Sequence, residues 1–254
     1  MCTLVILIRP GHDWPTIIAA NRDEMRDRPW AAPTRHWDDR PHVTAGRDEL
    51  ADGTWLGIND DGVVAGILNR VNSLGPVADK RSRGELPLEA LDHADARSAA
   101  QALTNLDPNA YRPFNMVISD VQEAYCLIND GESPHITSER IKPGVSMVTA
   151  HGMNNRASQR MAYHLPRFQA APPPNPAEND WFAWKTLIAD RSRAEGAGWD
   201  GSMLIDEVEG HDFGTVSSSL IALPARKESN KQQVPCWLFA PGRPDTTDWH
   251  EILL

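Results

Sequence analysis

The sequence has few cysteines and no long hydrophobic run. Its three cysteines, Cys2, Cys126 and Cys236, are odd in number and lack paired spacing. That pattern excludes a disulfide framework and a CxxC metal site, and it favours a reducing, cytoplasmic compartment. The apolar run Leu4–Ile8 is too short for a signal peptide. No stretch approaches the roughly 18 apolar residues of a membrane-spanning helix.

Positive charge is also scarce. Lys and Arg number 25 against 35 Asp and Glu, which gives a formal net charge of −10. A nucleic-acid surface needs clustered basic residues, so no nucleic-acid partner is expected. No GxGxxG or GxxxxGK[ST] run occurs, which argues against phosphate-loop folds. The histidines form no ligand-spaced pair, and the sequence therefore predicts no metal site and no cofactor.

The order of the predicted elements indicates an α+β fold with antiparallel sheets. Apolar, β-branched segments separated by turn formers predict the strands 3–8, 16–20, 55–59, 63–69, 114–119, 124–129, 145–150, 202–206, 215–223 and 236–239. Helical spacing of apolar residues predicts four helices at 84–94, 95–106, 157–168 and 180–195. No repeat and no change of composition marks a boundary, so residues 1–254 are expected to form a single domain.

Cys2 is the first candidate for chemistry. Removal of Met1 gives a chain that starts with Cys2 and carries a free α-amine. Such an amine ordinarily has a pKa of about 7.7–8.0, which suits a general base at neutral pH. One residue then supplies both nucleophile and base. The alternative is a small hydrophobic residue at the start of a strand.

The segment Asn21-Arg22-Asp23-Glu24 ends the second predicted strand. A hairpin brings it beside the start of the first strand, next to Cys2. A guanidinium there lowers the pKa of a thiol, and a carboxylate orients an α-ammonium group. The alternative is a solvated turn in which Arg and Asp pair locally and contribute little stability.

Five ordered blocks give the sequence a specific resemblance. They are MCTLVI, AANRDEMRDRP, GTWLGINDDGVVAGILNRV, RSRGEL and PFNMVISD, and weaker similarity continues through HGMNN and DFGTVSSSLIAL. In this order and spacing they resemble the NRDE-motif family, whose eukaryotic members are called transport and Golgi organisation proteins. The family is similar in fold to N-terminal nucleophile hydrolases. The resemblance therefore implies a four-layer αββα sandwich, with two antiparallel sheets flanked by helices.

The resemblance also implies catalytic roles, because cysteine members of that superfamily are amidases such as penicillin V acylase and bile salt hydrolase. Cys2 would be the nucleophile, Arg22 would lie beside the thiol and Asp23 would hold the amine. Asn69 would donate to the oxyanion, and Asn155 would be a second polar contact there.

Two departures from the hydrolase pattern stand in the sequence. The hydrolases separate their Arg and Asp by two residues, whereas Arg22 and Asp23 are adjacent. They also carry a late arginine, which is missing from Gly214–Ser219. The serines of that block bind a substrate carbonyl or satisfy backbone groups at a strand edge, and the second interpretation is favoured.

A substrate-binding set is predicted outside the catalytic residues. Arg81 and Arg83 precede a helix and would clamp an anionic group; the alternative is an ordinary helix-entry turn. His151 and Trp55 are predicted to line the pocket. The predicted partner is a small molecule: an acylated amide, acyl-CoA or haem.

Three functions follow. The first is a cysteine N-terminal nucleophile hydrolase that cleaves a small acyl-amide, ester or thioester bond. The alternative is a non-catalytic binding protein of the same fold that handles haem or a lipid or acyl-CoA ligand, which nine tryptophans would suit. The third is a trafficking or structural partner, as the family name implies, and we interpret that name as a downstream phenotype.

Overall fold

The computed structural model describes residues 2–75, 77–226 and 234–254. The chain forms two compact units. The first consists of Met1–Arg28 and Pro143–Leu253, and the second of Pro29–Lys142 with Leu254. Each unit contains one antiparallel sheet and two α-helices. The single domain predicted for residues 1–254 stays a prediction.

The elements follow one another along the chain as strands, then helices, then strands again. The strands are β1 (Thr3–Ile8), β2 (Thr16–Met25), β3 (Trp30–Thr34), β4 (Val43–Asp48), β5 (Leu56–Asn59), β6 (Val64–Asn69), β7 (Phe114–Ser119), β8 (Ala124–Asn129), β9 (Thr137–Arg140), β10 (Gly144–Thr149), β11 (Gly152–Met153), β12 (Phe213–Leu223), β13 (Cys236–Ala240) and β14 (His250–Glu251). The α-helices are α1 (Glu85–Leu91), α2 (Ala96–Thr104), α3 (Gln159–Ala170) and α4 (Phe182–Ile188).

The sheet of the first unit has the strand order β11-β10-β1-β2-β12-β13-β14. One face of it packs against α3 and α4, since alternate residues of β1 and β2 such as Val5 and Ile17 share a cluster with Met161, Phe168 and Trp184. This sheet carries Cys2 and the whole Asn21–Glu24 segment, so it holds the candidate catalytic residues.

The sheet of the second unit has the order β3-β4-β5-β6-β7-β8-β9 and packs against α1 and α2. Helix α1 lies very close to β5. A Cβ atom placed on Gly57 would meet Leu91 Cδ1 at 2.8 Å and Ala45 Cβ at 2.7 Å. Glycine at this position therefore allows the helix to seat on the sheet.

The α+β class, with antiparallel sheets flanked by helices, is confirmed. Strands β1, β7 and β8 have the predicted bounds. The predicted N-cap also forms, because the Asp95 carboxylate accepts the Ser98 N–H at 2.7 Å. The second strand is longer than predicted and runs to Met25, so Asn21–Glu24 lies within a paired strand and is not a solvated turn.

Two predicted elements near residue 200 are wrong. The helix predicted to reach residue 195 ends at Ile188, and no strand forms at 202–206. The reason lies at Asp190, whose carboxylate accepts the Ser192 N–H at 2.8 Å and turns the chain. The Asp190 carbonyl oxygen then accepts both Met203 N–H at 3.0 Å and Leu204 N–H at 3.1 Å. Those backbone groups are thereby taken out of any sheet ladder.

Candidate functional site

Cys2 lies directly before β1 and is partly buried. Its Sγ–H points to the carbonyl oxygen of Asp23 in the neighbouring strand, at 3.7 Å. The last β1–β2 pair joins Thr3 to Asn21, so one further step along the strands puts Cys2 level with Arg22. Because β1 and β2 are antiparallel, the backbone of Cys2 runs from its carbonyl group, toward Asn21, to its α-nitrogen, toward Asp23.

Burial raises the pKa of the Cys2 thiol above its ordinary value, and the charges of Asp23 and Glu24 act in the same direction. The thiol is therefore protonated at neutral pH in this environment. A thiolate nucleophile at this position needs a base that removes its proton.

The motif residues alternate between the two faces of β2. Asn21 and Asp23 face the helices: Asn21 Nδ2 donates to the carbonyl oxygens of Ile188 and Met203, each at 2.9 Å. Arg22 therefore points to the opposite face, as does the side chain level with it at Cys2. Arg22 is only 4% exposed. The structure thus brings Cys2, Arg22 and Asp23 together at one end of the β1–β2 hairpin.

The Asp23 carboxylate is the centre of a buried network. Arg160 Nη1 of α3 donates to Asp23 Oδ2 at 3.0 Å, and the same nitrogen donates to the Thr3 hydroxyl. Thr215 Oγ1 of β12 donates to Asp23 Oδ1 at 2.7 Å. Both charged side chains are almost wholly buried, with relative exposures of 2% for Arg160 and 0% for Asp23. Asp23 is thus held in place by α3 and β12. It follows Arg22, the residue of β2 that is level with Cys2.

A β-bulge in β12 shapes this network. The register with β2 shifts between Thr215 and Ser217, so Val216 is the extra residue. Because of this shift, both Thr215 and Ser218 face the helices, and Ser218 Oγ donates to Asn21 Oδ1 at 2.5 Å. Ser217 pairs with Arg22 and faces the other side. Within the described residues, the buried Ser217 hydroxyl makes no hydrogen bond.

His151 and Asn155 lie in and after the turn that follows β10. Asn155 is exposed, and its side chain makes two local bonds: Nδ2 donates to the His151 carbonyl oxygen at 3.1 Å, and Oδ1 accepts the Ala157 N–H at 3.0 Å. Its neighbour Asn154 is bound to the sheet, since Oδ1 accepts the Met147 N–H at 3.0 Å. The predicted oxyanion contact of Asn155 and the pocket role of His151 stay predictions.

The other predicted residues belong to the second unit. Asn69 ends β6 opposite Phe114, and Trp55 packs edge-on against Trp30 with their ring centroids 5.9 Å apart. The oxyanion role of Asn69 and the pocket role of Trp55 stay predictions.

The two arginines of the predicted anion clamp contact protein groups. Arg81 Nε lies 2.6 Å from Glu85 Oε1. Arg83 Nη1 donates to the carbonyl oxygens of Ser73, at 2.7 Å, and Pro113, at 3.0 Å. These contacts match the helix-entry interpretation, and anion binding by Arg81 and Arg83 stays a prediction.

A cleft of about 500 Å³ opens just beyond Met25, at the end of β2 that carries the Asn21–Glu24 motif. Its lining is mainly acidic and consists of Arg26, Asp206, Glu207, Val208, Glu209, His211, Asp212 and Phe213. Over the described ranges, no group of three or more His, Cys, Asp or Glu residues is arranged to hold a metal ion. No helix in the same ranges has the length and apolar character needed to cross a membrane.

A sequence profile of the family described as Transport and Golgi organisation 2 matches residues 1–171. The chain belongs to this family. The human Transport and Golgi organization protein 2 homolog is 32% identical over 114 residues, which cover 42% of this chain and 40% of the human protein. The chain therefore aligns with only about two fifths of the length of that relative.

The part shared with the Transport and Golgi organisation 2 family contains Cys2, the Asn21–Glu24 motif and Arg160, whereas β12 lies beyond it. Arg160, Asn21 and Thr215 were missed by sequence reasoning. Arg160 offers no signal, because it is one of 20 arginines and stands on a helix. Asn21 was visible inside the motif, but a strand that ended at residue 20 gave its side chain no buried partners.

Solved structures share the fold of this family member over almost the whole chain. Penicillin V acylase from Agrobacterium tumefaciens matches with a TM-score of 0.59 and 17% identity, over 99% of this chain and 86% of the acylase. The Caenorhabditis elegans N-acylethanolamine-hydrolyzing acid amidase ortholog matches with 0.54 and 11%, over 86% and 92%. The C2A mutant of conjugated bile acid hydrolase from Clostridium perfringens matches with 0.54 and 11%, over 100% and 97%. The predicted N-terminal nucleophile hydrolase type of fold is thereby confirmed.

Proposed function

We propose that this chain is a cysteine N-terminal nucleophile hydrolase that cleaves a small acyl-amide, ester or thioester bond. The observation that carries the proposal is the juxtaposition at the end of the β1–β2 hairpin. The Cys2 thiol lies 3.7 Å from the Asp23 carbonyl oxygen, with Arg22 level with it and a buried carboxylate on the next residue. The fold shared with acylases and amidases makes this arrangement chemically meaningful.

The reaction requires Cys2 to be the first residue of the mature chain. Its α-amine accepts the thiol proton, and Sγ attacks the substrate carbonyl carbon. The tetrahedral intermediate collapses when the ammonium returns the proton to the leaving amine, alcohol or thiol. An acyl-thioester on Cys2 remains, and water, deprotonated by the same amine, hydrolyses it to the acid.

Arg22 and Asp23 support this chemistry from opposite faces. Burial disfavours the thiolate of Cys2, and in the proposed mechanism a guanidinium on the same face favours it. The Asp23 carboxylate lies on the side of the α-nitrogen and orients the amine. The oxyanion contacts predicted for Asn69 and Asn155 rest on the family resemblance alone.

The names of the structural relatives support an acylated small molecule as the substrate class. They denote a penicillin V acylase, an N-acylethanolamine-hydrolysing amidase and a conjugated bile acid hydrolase. We extend to this chain only the common element, which is an acyl group joined to a small leaving group.

The test combines mass spectrometry with a panel of acyl amides and thioesters. Intact mass should show Cys2 as the first residue, and a limiting acyl electrophile should modify Cys2 before Cys126 and Cys236. Replacement Cys2→Ala should abolish turnover, by about a thousandfold or more, without lowering the melting temperature. Cys126→Ala is the matched control, because that thiol is buried and its pKa is raised to about 12. Turnover that survives Cys2→Ala would refute the proposal.

A second candidate function is ligand binding without catalysis. It is favoured by the lack of an arginine in the bulged segment of β12. Val216 stands there in the block from which the late arginine of the hydrolases is missing. If Cys2 retains Met1 and is no more reactive than Cys236, titration with haem or acyl-CoA should quench tryptophan fluorescence in a saturable way. A flat titration at micromolar ligand would remove this candidate.

A further inference from the structure

The ion pair between Arg160 and Asp23 is the most deeply buried charged contact beside Cys2. Its N–O distance is 3.0 Å, and neither side chain reaches solvent appreciably. Arg160 is also tied to the chain around it, since Nε donates to the Asp200 carbonyl oxygen at 3.1 Å and Nη1 donates to Thr3, the residue after Cys2. The guanidinium is therefore fixed in position relative to the start of β1.

A lone carboxylate beside the Cys2 α-amine would harm its function as a base. An opposite charge within about 4–6 Å shifts a pKa by about 1–3 units toward the charged form. An α-amine that begins near 7.7–8.0 would then hold its proton up to about pH 9 or above. At pH 7 only about one molecule in a hundred would carry a neutral amine, and the thiol would have no acceptor for its proton.

We propose that Arg160 is a positioning residue that offsets the charge of Asp23 and so increases the fraction of the Cys2 α-amine that is in its neutral, proton-accepting form. This inference rests on the proposed function, because it concerns the same amine. In the proposed mechanism Asp23 still orients the amine. Its net field is small, because the guanidinium on Oδ2 and the Thr215 hydroxyl on Oδ1 balance the carboxylate.

Three neighbouring elements contribute polar side chains near the start of β1, and two of them contribute titratable groups. Strand β2 contributes Arg22 on the opposite face and Glu24, which is a quarter exposed and lies 3.9 Å from Arg28. The turn after β10 contributes His151, which is partly buried. Strand β12 contributes Thr215, which carries no charge. Arg160 is bonded to the Asp23 carboxylate as a cation, with an N–O distance of 3.0 Å.

The Arg160–Asp23 ion pair also supplies a cation where the Gly214–Ser219 block lacks the late arginine of the hydrolases. In this chain the guanidinium beside the Asp23 carboxylate comes from α3, one residue after the helix begins at Gln159. The absence of arginine from β12 therefore does not leave this carboxylate without a cation.

The test measures the amine itself and does not depend on turnover. The full chain is prepared with Cys2 as its first residue and with ¹³C-labelled cysteine, and the thiols are capped as methyl disulfides. The Cα shift of Cys2 is then followed against pH by NMR. Cys126 and Cys236 carry no free α-amine and serve as internal references.

Opposite charge changes should move the midpoint in opposite directions. Arg160→Gln should raise it by about one pH unit, and Asp23→Asn should lower it by a similar amount. The double variant, which lacks both charges, should return to within about 0.3 unit of the parent. Arg167→Gln is the matched control on the same helix and should cause no shift, since Arg167 is 41% exposed and pairs with Asp190.

Removal of one partner from a buried pair costs about 3–5 kcal/mol, so Arg160→Gln alone can fail to fold. In that case the midpoint of Asp23→Asn is compared with that of the double variant, and it should be about one unit lower. Shifts in the same direction, or shifts below about 0.3 unit, would overturn the inference and leave Arg160 a packing residue. Failure of hydrolysis in the substrate panel would instead refute the proposed function, and the two failures are therefore distinguishable.

Discussion

Replacement of Asn21 by alanine should destabilise the protein strongly, although Asn21 is not assigned to the chemistry. The Asn21 amide satisfies three buried partners: the carbonyl oxygens of Ile188 and Met203, and the hydroxyl of Ser218. Asn21→Ala leaves all three without the amide. A buried polar group that loses its partner costs about 1–3 kcal/mol.

The expected loss in free energy of unfolding is therefore about 4 kcal/mol. For a chain of this size, each kcal/mol lowers the melting temperature by about 2–4 °C, which predicts a decrease of about 8–16 °C. Urea unfolding followed by tryptophan fluorescence measures the free energy directly, and an unchanged slope shows that the same surface is exposed.

Asn155→Ala is the matched control for Asn21→Ala. Its amide is exposed and makes only local contacts with His151 and Ala157, so the expected loss is below about 1 kcal/mol. If the two variants lose equal stability, or if Asn21→Ala loses less than about 1 kcal/mol, the assigned network does not hold β2 against α4 and β12.

Two further predictions concern neighbouring serines and a buried histidine. Ser218→Ala should lower the free energy of unfolding by about 1–2 kcal/mol, because Asn21 Oδ1 loses its donor at 2.5 Å. Ser217→Ala should leave the free energy of unfolding in urea unchanged or slightly higher, because the Ser217 hydroxyl has no hydrogen-bond partner within the described residues. A larger loss at Ser217 than at Ser218 would contradict the assignment of these two side chains to opposite faces. Burial lowers the pKa of His164 to about 4, below the ordinary 6.5 of the unfolded chain. The unfolded state therefore takes up a proton first, and stability that is complete above pH 6.5 falls by up to about 3 kcal/mol toward pH 4. His164→Gln should flatten this limb in urea titrations between pH 4 and 7, and an unchanged slope would show that other groups produce it.

The sequence predicted those strands that are mainly apolar segments bounded by turn-forming residues. Strands β1, β7 and β8 are such segments, and their bounds match. Strand β9, with the sequence TSER, is wholly exposed, and β3 contains Pro33. Neither shows a pattern that indicates a strand, because both form through pairing with β8 and β4 respectively.

Some residues of the candidate site could likewise be predicted from the sequence, and others could not. Cys2, Arg22 and Asp23 could be found from the sequence because they lie on two strands of one hairpin, and hairpin register is a local property. Arg160 lies 137 residues from its partner Asp23. No local periodicity reports that α3 brings this arginine to β2, so only the tertiary structure reveals the contact.

The bulge at Val216 explains how one short motif presents polar side chains to both faces of the sheet. Thr215 and Ser218 are three residues apart, so in a regular strand they would point to opposite faces. The extra residue turns both toward the helices, where they bind Asp23 and Asn21. Arg22 is left on the other face, level with Cys2. The two polar residues that flank Arg22 thereby fix the backbone of β2, and the face on which the Arg22 side chain lies follows from hydrogen bonds made on the opposite side of the sheet.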